Sequence, residues 1–284
     1  LAGVVRTLAP DLARRPAERQ RHRDDEEQGQ DALPGRVVVA QHPLDPASLA
    51  CRDADGAEFG ADVAVVSATM DGDEVMEAKR VAKAVEGLGQ KAISQGWDVT
   101  LPTNIQVGYK QISKEFGAPT ILVYNADLAL AKPIEKVTDS EFGRIQAVNQ
   151  SGAFYASRTF LRELPEGTSG RLIFITSIFG ERGVDNLSAY ATAKAGVIGL
   201  SAALSQEAAA RGVTSNCIST GWMDWTPGRG PDEIGQNLLL RFIPMRRFGK
   251  GEELAALAVL LSSEAAGYLN GQVFHADGGI SQHL

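Results

Sequence analysis

The sequence predicts a single α/β domain built on a doubly wound parallel sheet, with helices covering both faces in three layers. From residue 35 onward, short apolar runs of strand length alternate with longer runs of helical periodicity. The short runs are apolar almost throughout, which is typical of parallel strands buried on both faces. Bound molecules are then expected at the carboxyl ends of the strands.

The order of these runs predicts the order of the elements. Strands are expected at Val37–Ala40, Asp62–Val66, Ala92–Gln95, Thr120–Tyr124, Arg171–Thr176, Val213–Ile218 and Gly271–His275. Helices are expected at Glu74–Gly87, Ile105–Phe116, Ser140–Leu164, Ala189–Arg211 and Glu252–Ser262. Gly89 and Gly212 follow two of these helices, where glycine readily adopts a left-handed C-cap.

Composition excludes several classes of function. The net charge of -7 and the pI near 5.2 argue against a nucleic-acid partner or an anionic membrane surface. Cys51 and Cys217 lie far apart, so a disulfide framework is not expected and a reduced, cytoplasmic setting fits. No metal site is expected, because ligand spacing is absent among the histidines, which are His22, His42, His275 and His283.

Residues 1–34 differ in composition from the rest of the chain. They are rich in arginine, acidic residues, glutamine and alanine, and include the charged run Arg19–Gln28. Such a segment has little apolar surface to bury. We predict a polar N-terminal arm, either mobile or a surface helix, followed by one domain over residues 35–284.

Ser177, Tyr190 and Lys194 form a candidate proton-transfer site. Tyr190 and Lys194 are four residues apart on a predicted helix, so their side chains share one face. A free tyrosine has a pKa of about 10, and a neighbouring ammonium favours the phenolate. We therefore expect Lys194 to lower the pKa of Tyr190. Ser177 follows an apolar strand, where its hydroxyl can bind a substrate oxygen.

These residues, with Asn149 upstream, resemble the catalytic tetrad of the short-chain dehydrogenase/reductase superfamily. The resemblance covers about residues 35–279, and the segment Arg246–Glu253 is similar to the 3-oxoacyl-reductase-like branch. It implies a Rossmann-type fold, NAD or NADP as cofactor, hydride transfer between an alcohol and a ketone, and a homotetramer. Within the tetrad it implies that Asn149 positions a water. The resemblance implies cofactor contacts from Asp98, Val99, Asn125, Ala126, Tyr190, Lys194, Gly221 and Met223.

The chain departs from the family pattern where the cofactor should bind. The glycine-rich turn would fall at residues 41–49, which contain no glycine but do contain Pro43 and Asp45. Strained backbone and a carboxylate near a pyrophosphate should weaken binding of the dinucleotide, or abolish it. The family's Asn-Asn-Ala-Gly is replaced by a motif that keeps Asn125 and Ala126 but ends in Asp127. Ser67-Ala68 does not discriminate NAD from NADP.

Residues 222–245 form a candidate substrate lid, rich in apolar side chains such as Trp222, Trp225 and Phe242. The lid favours an apolar cyclic or acyl substrate over a small polar one. Small residues on two predicted helices suggest close helix packing between subunits of the tetramer. They are Gly152, Ala153, Ala156, Ala193, Gly196 and Gly199.

Three functions remain open from the sequence. The first is an NAD(P)-dependent oxidoreductase acting on a small-molecule alcohol or ketone with Tyr190 as general acid or base. The second is a cofactor-independent hydrolase, lyase or isomerase on the same fold. The third is a non-catalytic subunit in a hetero-oligomer with an active paralogue.

Overall fold

The computed structural model describes residues 36–40, 61–68, 71–87, 89–226 and 238–282. For residues 36–40 the backbone alone is described. The predicted arm at residues 1–34, the predicted turn at residues 41–49 and residues 227–237 of the predicted lid lie outside these ranges. What the sequence predicts for them stays a prediction.

The predicted doubly wound α/β fold is confirmed. The strands are β1 (Arg36–Ala40), β2 (Asp62–Ser67), β3 (Ala92–Gly96), β4 (Ile121–Tyr124), β5 (Gly170–Ser177), β6 (Val213–Thr220) and β7 (Val273–Ala276). They pair in parallel in the order β3-β2-β1-β4-β5-β6-β7. Parallel pairing brings all carboxyl ends to one edge, where Ser177 lies beside Thr220 and Thr220 beside Ala276.

Helices cover both faces of the sheet. They are α1 (Gly72–Gly87), α2 (Pro102–Phe116), α3 (Asp139–Gln146), α4 (Gly152–Glu163), α5 (Ser188–Glu207) and α6 (Gly251–Ser262). Alternate strand residues feed two apolar clusters, one with side chains of α2, α4 and α5 and one with side chains of α1 and α6. For example, Leu172 and Phe174 face the first cluster while Ile173 faces the second. This alternation produces the three layers.

The helix predicted at Ser140–Leu164 is confirmed, but it contains a π-helical turn that the sequence did not predict. The structure has α3, then a π-helical turn at Ala147–Ser151, then α4. An inserted residue widens the turn, and such insertions are frequent at functional sites. Asn149 lies within this turn, and its side chain reaches out of the helix to backbone groups of another segment.

Several of the small residues expected at a subunit interface pack against side chains of their own chain. Ala153 and Ala193 are fully buried, and a Cβ added at Gly152 would lie 2.1 Å from the Tyr124 hydroxyl oxygen. A Cβ at Gly196 would lie 2.3 Å from the Gln150 side chain. Gly199 is exposed, with open space around an added Cβ. The tetramer and the packing of these helices between subunits stay predictions.

Within the described ranges, no helix is long and apolar enough to cross a membrane.

Candidate active site

The predicted catalytic side chains come together at the carboxyl edge of the sheet. Ser177 is the last residue of β5, and Tyr190 and Lys194 lie on the first turns of α5. Asn149 approaches from the π-helical turn. Asp127, three residues after the end of β4, joins them.

A close backbone approach sets the position of α5. The 3₁₀ turn Ile178–Gly180 directly follows β5 and packs against the helix. A Cβ added at Gly180 would lie 2.8 Å from the Ala195 backbone nitrogen and 2.9 Å from the Lys194 Cβ. Only a residue without a side chain allows this approach, so Gly180 locks the strand end carrying Ser177 against the helix carrying Lys194.

Lys194 is buried, and its ammonium is compensated within the chain. The side chain is 4% exposed, and Nζ lies 3.0 Å from Oδ1 of Asp127. The same nitrogen donates a hydrogen bond to the Ile175 carbonyl oxygen at 3.1 Å. A buried ammonium requires such partners, because desolvation strongly disfavours an unpaired charge.

Tyr190 is buried beside the same carboxylate. Its hydroxyl donates a hydrogen bond to Oδ2 of Asp127 at 3.3 Å. Burial raises the pKa of Tyr190 well above its usual value, and the charge of Asp127 and its hydrogen bond raise it further, while Ser177 opposes the rise. The expectation that Lys194 lowers this pKa is wrong, because burial disfavours the phenolate and Asp127 adds to this effect through its charge and its hydrogen bond.

Ser177 is ordered by backbone groups. Its hydroxyl accepts a hydrogen bond from the Phe179 N–H at 3.3 Å and donates one to the Thr220 carbonyl oxygen at 3.4 Å. The second contact is long, so a better acceptor in the site can replace it. The hydroxyl therefore lies at the carboxyl edge of the sheet, and its predicted contact with a substrate oxygen stays a prediction.

Asn149 joins the π-helical turn to the segment after β4. Its Nδ2 donates to the carbonyl oxygens of Leu128 at 2.8 Å and Ile145 at 2.9 Å, and its Oδ1 accepts from the Leu128 N–H at 3.2 Å. Both backbone groups of Leu128 are thus held by one amide side chain. Since Leu128 is the neighbour of Asp127, Asn149 also restrains the carboxylate that contacts Tyr190.

We expect Asn149→Ala to lower the free energy of unfolding by about 2–4 kcal/mol, because buried backbone groups lose their partners. Urea denaturation monitored by circular dichroism measures the change. Gln206→Ala removes an exposed amide on α5 and should change stability by less than about 0.5 kcal/mol. Equal effects of the two substitutions would contradict the bracing role of Asn149.

The residues that the resemblance assigns to the adenine end have local partners. The Asp98 carboxylate accepts from the Thr100 N–H at 2.9 Å and from the Thr100 hydroxyl at 2.5 Å. The Val99 side chain is 1% exposed, within the core. Asn125 and Ala126 are buried directly after β4. Their predicted contacts with a cofactor stay predictions.

Gly221 and Met223 lie just after the end of β6, and both have structural roles there. A Cβ on Gly221 would lie 2.7 Å from the Asp277 Cα, so β6 and the segment after β7 meet at this glycine. Met223 is 2% exposed, and its sulfur lies 2.7 Å from the position of a Cβ added at Gly249. It lines a cavity of about 430 Å³, and its predicted contact with a cofactor stays a prediction.

The described ends of the predicted lid are divided between core and surface. Met223 and Ile243 are buried, and Trp222 packs edge-on against Phe179 at 5.0 Å between ring centroids. Leu238 and Phe242 are exposed. Exposed apolar side chains on this segment are consistent with contact to an apolar ligand, whereas the buried ones anchor the segment.

Asp127 is a member of the site that the sequence did not predict. The available signal was an acidic residue three positions after a buried strand, in place of the family's glycine. The described residues contain no group of three His, Cys, Asp or Glu able to hold a metal ion.

Comparisons with known proteins agree with this geometry. The model of a family described as enoyl-(acyl carrier protein) reductase matches residues 54–281. The 3-oxoacyl-[acyl-carrier-protein] reductase MabA of Mycobacterium tuberculosis strain H37Rv is 32% identical over 210 residues, which are 74% of this chain and 83% of that protein.

Solved structures are also similar over most of the chain. A short-chain dehydrogenase/reductase of Serratia marcescens has a TM-score of 0.77 and 28% identity, covering 88% of this chain and 98% of that chain. A blue fluorescent protein from a metagenomic library, solved in complex with NADPH, has a TM-score of 0.76 and 25% identity, covering 88% of this chain and 99% of that chain.

Proposed function

Because the chain belongs to the short-chain dehydrogenase/reductase superfamily and is an oxidoreductase of that superfamily, we propose that it interconverts a ketone and a secondary alcohol with NAD or NADP. The observation that carries this proposal is the cluster of Tyr190, Lys194 and Ser177 at the carboxyl edge of the sheet. A proton donor, an ammonium and a hydroxyl lie where ligands bind in open α/β sheets.

The donor set fits the ribose of a nicotinamide nucleotide. The Lys194 ammonium has three N–H donors; the Ile175 carbonyl oxygen accepts from it, and the Asp127 carboxylate forms an ion pair with it. A ribose hydroxyl can accept from the ammonium and donate to the Asp127 carboxylate. Lys194 and Asp127 would hold this sugar, and the bound nicotinamide would supply or accept the hydride.

The protein's own groups then handle the substrate oxygen. Ser177 donates a hydrogen bond to it and fixes its direction, and the Tyr190 hydroxyl gives or takes the proton. Apolar side chains surround the phenol and limit the access of water. They are Ile178, Phe179, Leu187, Trp222 and Ile280.

We propose an apolar cyclic or acyl ketone as substrate. Leu238, Phe242 and Met245 expose apolar surface on the lid segment. The name of the Mycobacterium tuberculosis relative specifies a 3-oxoacyl group on acyl carrier protein. A 3-oxoacyl thioester is therefore the first substrate to test, with acetoacetyl-coenzyme A as the probe.

Calorimetry with NADPH and with NADH tests the proposal. We expect weak but detectable binding, because Pro43, Asp45 and the glycine-free turn oppose the pyrophosphate. Asp45→Asn should tighten binding by about tenfold if the charge repels the cofactor. Asp185→Asn removes the same charge from an exposed position and should leave the affinity unchanged. Heats indistinguishable from dilution at about millimolar cofactor would contradict the proposal.

A cofactor-independent hydrolase, lyase or isomerase is the second candidate. One observation favours it: Asp127 pairs with Lys194 inside the chain, so the ammonium has a charged partner without any ribose. Turnover that is unchanged by added NAD(H) or NADP(H) would favour this candidate. The homotetramer and the hetero-oligomer with a paralogue stay predictions.

A further inference from the structure

An aspartate contacts both proton-handling groups of the site from a position where the family pattern has glycine. We propose that Asp127 is a positioning residue that holds Tyr190 as a hydrogen-bond donor, and so suits the site to ketone reduction over alcohol oxidation. The preference for reduction rests on the proposed function. The contacts of Asp127 with Tyr190 and Lys194 do not depend on that function.

The carboxylate of Asp127 is held in place by its surroundings. Asp127 follows β4, and its neighbour Leu128 is bound through both backbone groups by the buried Asn149 side chain. The Asp127 side chain is 26% exposed, whereas that of Lys194 is 4% exposed. A restrained backbone and a mostly buried ammonium therefore direct the carboxylate into the site.

The two carboxylate oxygens have different partners. Oδ1 lies 3.0 Å from Lys194 Nζ, and Oδ2 accepts from the Tyr190 hydroxyl at 3.3 Å. An ionised carboxylate only accepts hydrogen bonds, so Tyr190 must be the donor in this contact. The contact exists only while the phenol keeps its proton.

The other described side chains around the Tyr190 phenol are apolar or have partners of their own. The segments packed on Tyr190 contribute apolar side chains, from Ile178 and Phe179 on one side and Trp222 on another. Glu181 ends the same 3₁₀ turn, but its carboxylate is bound by His275 at 2.8 Å and Ser219 at 2.6 Å. Among the described residues, Asp127 and Lys194 are thus the charged pair beside the phenol, and of the two Asp127 is the one that bonds to the phenol hydroxyl.

Ketone reduction and alcohol oxidation begin from different protonation states of Tyr190. In reduction, the carbonyl carbon gains a hydride and the oxygen gains the Tyr190 proton, and the resulting phenolate regains a proton from water before the next turnover. In oxidation, the phenolate must exist at the start to accept the hydroxyl proton. A neighbouring carboxylate disfavours the phenolate, so Asp127 favours the protonated Tyr190 phenol with which reduction begins.

Ultraviolet titration of tyrosinate tests the inference without cofactor or substrate. The signal of Tyr190 is obtained by subtracting the titration of Tyr190→Phe in each background. In Asp127→Asn, we expect Tyr190 to ionise at lower pH, with about tenfold more phenolate than in the wild type at the same alkaline pH. Asp127→Glu should retain much of the wild-type behaviour, and Asp185→Asn should not change it.

Asp127→Gly, which restores the family residue, provides a second variant in case the asparagine does not fold. It should also shift Tyr190 ionisation to lower pH. If Tyr190 titrates identically in the wild type and in the folded Asp127 variants, the inference is overturned. A shifted titration in a protein that binds no nicotinamide nucleotide would uphold the role of Asp127 and would contradict only the proposed function.

Discussion

Tyr190→Phe is expected to reduce turnover of a 3-oxoacyl thioester with NADPH by about 10²–10⁴-fold, which is the usual contribution of a general acid. The substitution removes the transferable proton and keeps the ring that packs with Ile178 and Phe179. It also removes the hydrogen bond to Asp127, which should change the free energy of unfolding by only about 0.5–1.5 kcal/mol.

Steady-state kinetics with acetoacetyl-coenzyme A and NADPH measure the loss, and circular dichroism checks the fold. Tyr268→Phe is the matched control, because the Tyr268 side chain is fully exposed and far from the site in sequence. It should retain full activity. If Tyr190→Phe kept most of the wild-type turnover, Tyr190 would not be the proton donor.

Lys194→Met should lower the free energy of unfolding by about 1–3 kcal/mol. Removing one partner of a buried ion pair typically costs about 3–5 kcal/mol, and the partial exposure of Asp127 lets water reduce this cost. The Asp127 carboxylate loses its compensating charge, and the Ile175 carbonyl oxygen loses a donor. Activity should also fall, because Lys194 would hold the ribose.

Lys132→Met is the matched control for stability. Lys132 pairs with Glu141 at 2.8 Å, but both side chains are about a third exposed, and such pairs contribute about 0–1 kcal/mol. The double variant Asp127→Asn with Lys194→Met should recover part of the lost stability, since no unpaired charge remains. If Lys194→Met and Lys132→Met lowered the free energy of unfolding equally in urea denaturation, burial would not strengthen the ion pair of Lys194 with Asp127.

Strand positions were predictable because each strand is a short apolar run bounded by polar residues. The prediction for β5 differs from the structure by one residue at each end. Burial of Leu172 and Ile173 on opposite faces requires a sheet covered on both sides. The spacing of Tyr190 and Lys194 likewise places them on one helix face in any α-helix.

The helix predicted over residues 140–164 shows why local patterns are incomplete. Helical periodicity continues through residues 147–151, but the structure has a π-helical turn there. Within this turn, the Asn149 side chain forms hydrogen bonds with backbone groups of Leu128, which is 21 residues away. No window of local sequence contains that contact.

By itself, the sequence determined the doubly wound sheet and the shared helix face of Tyr190 and Lys194, and its resemblance to the family added Ser177 to their site. The sheet and the shared face follow from apolar periodicity and from spacing, which are properties of neighbouring residues. Only the tertiary structure decided the electrostatics of the site, because Asp127 meets Lys194 across 67 positions of sequence. A pKa depends on burial and on all nearby charges, so the pKa of Tyr190 was set by the folded arrangement and not by its neighbour on the helix.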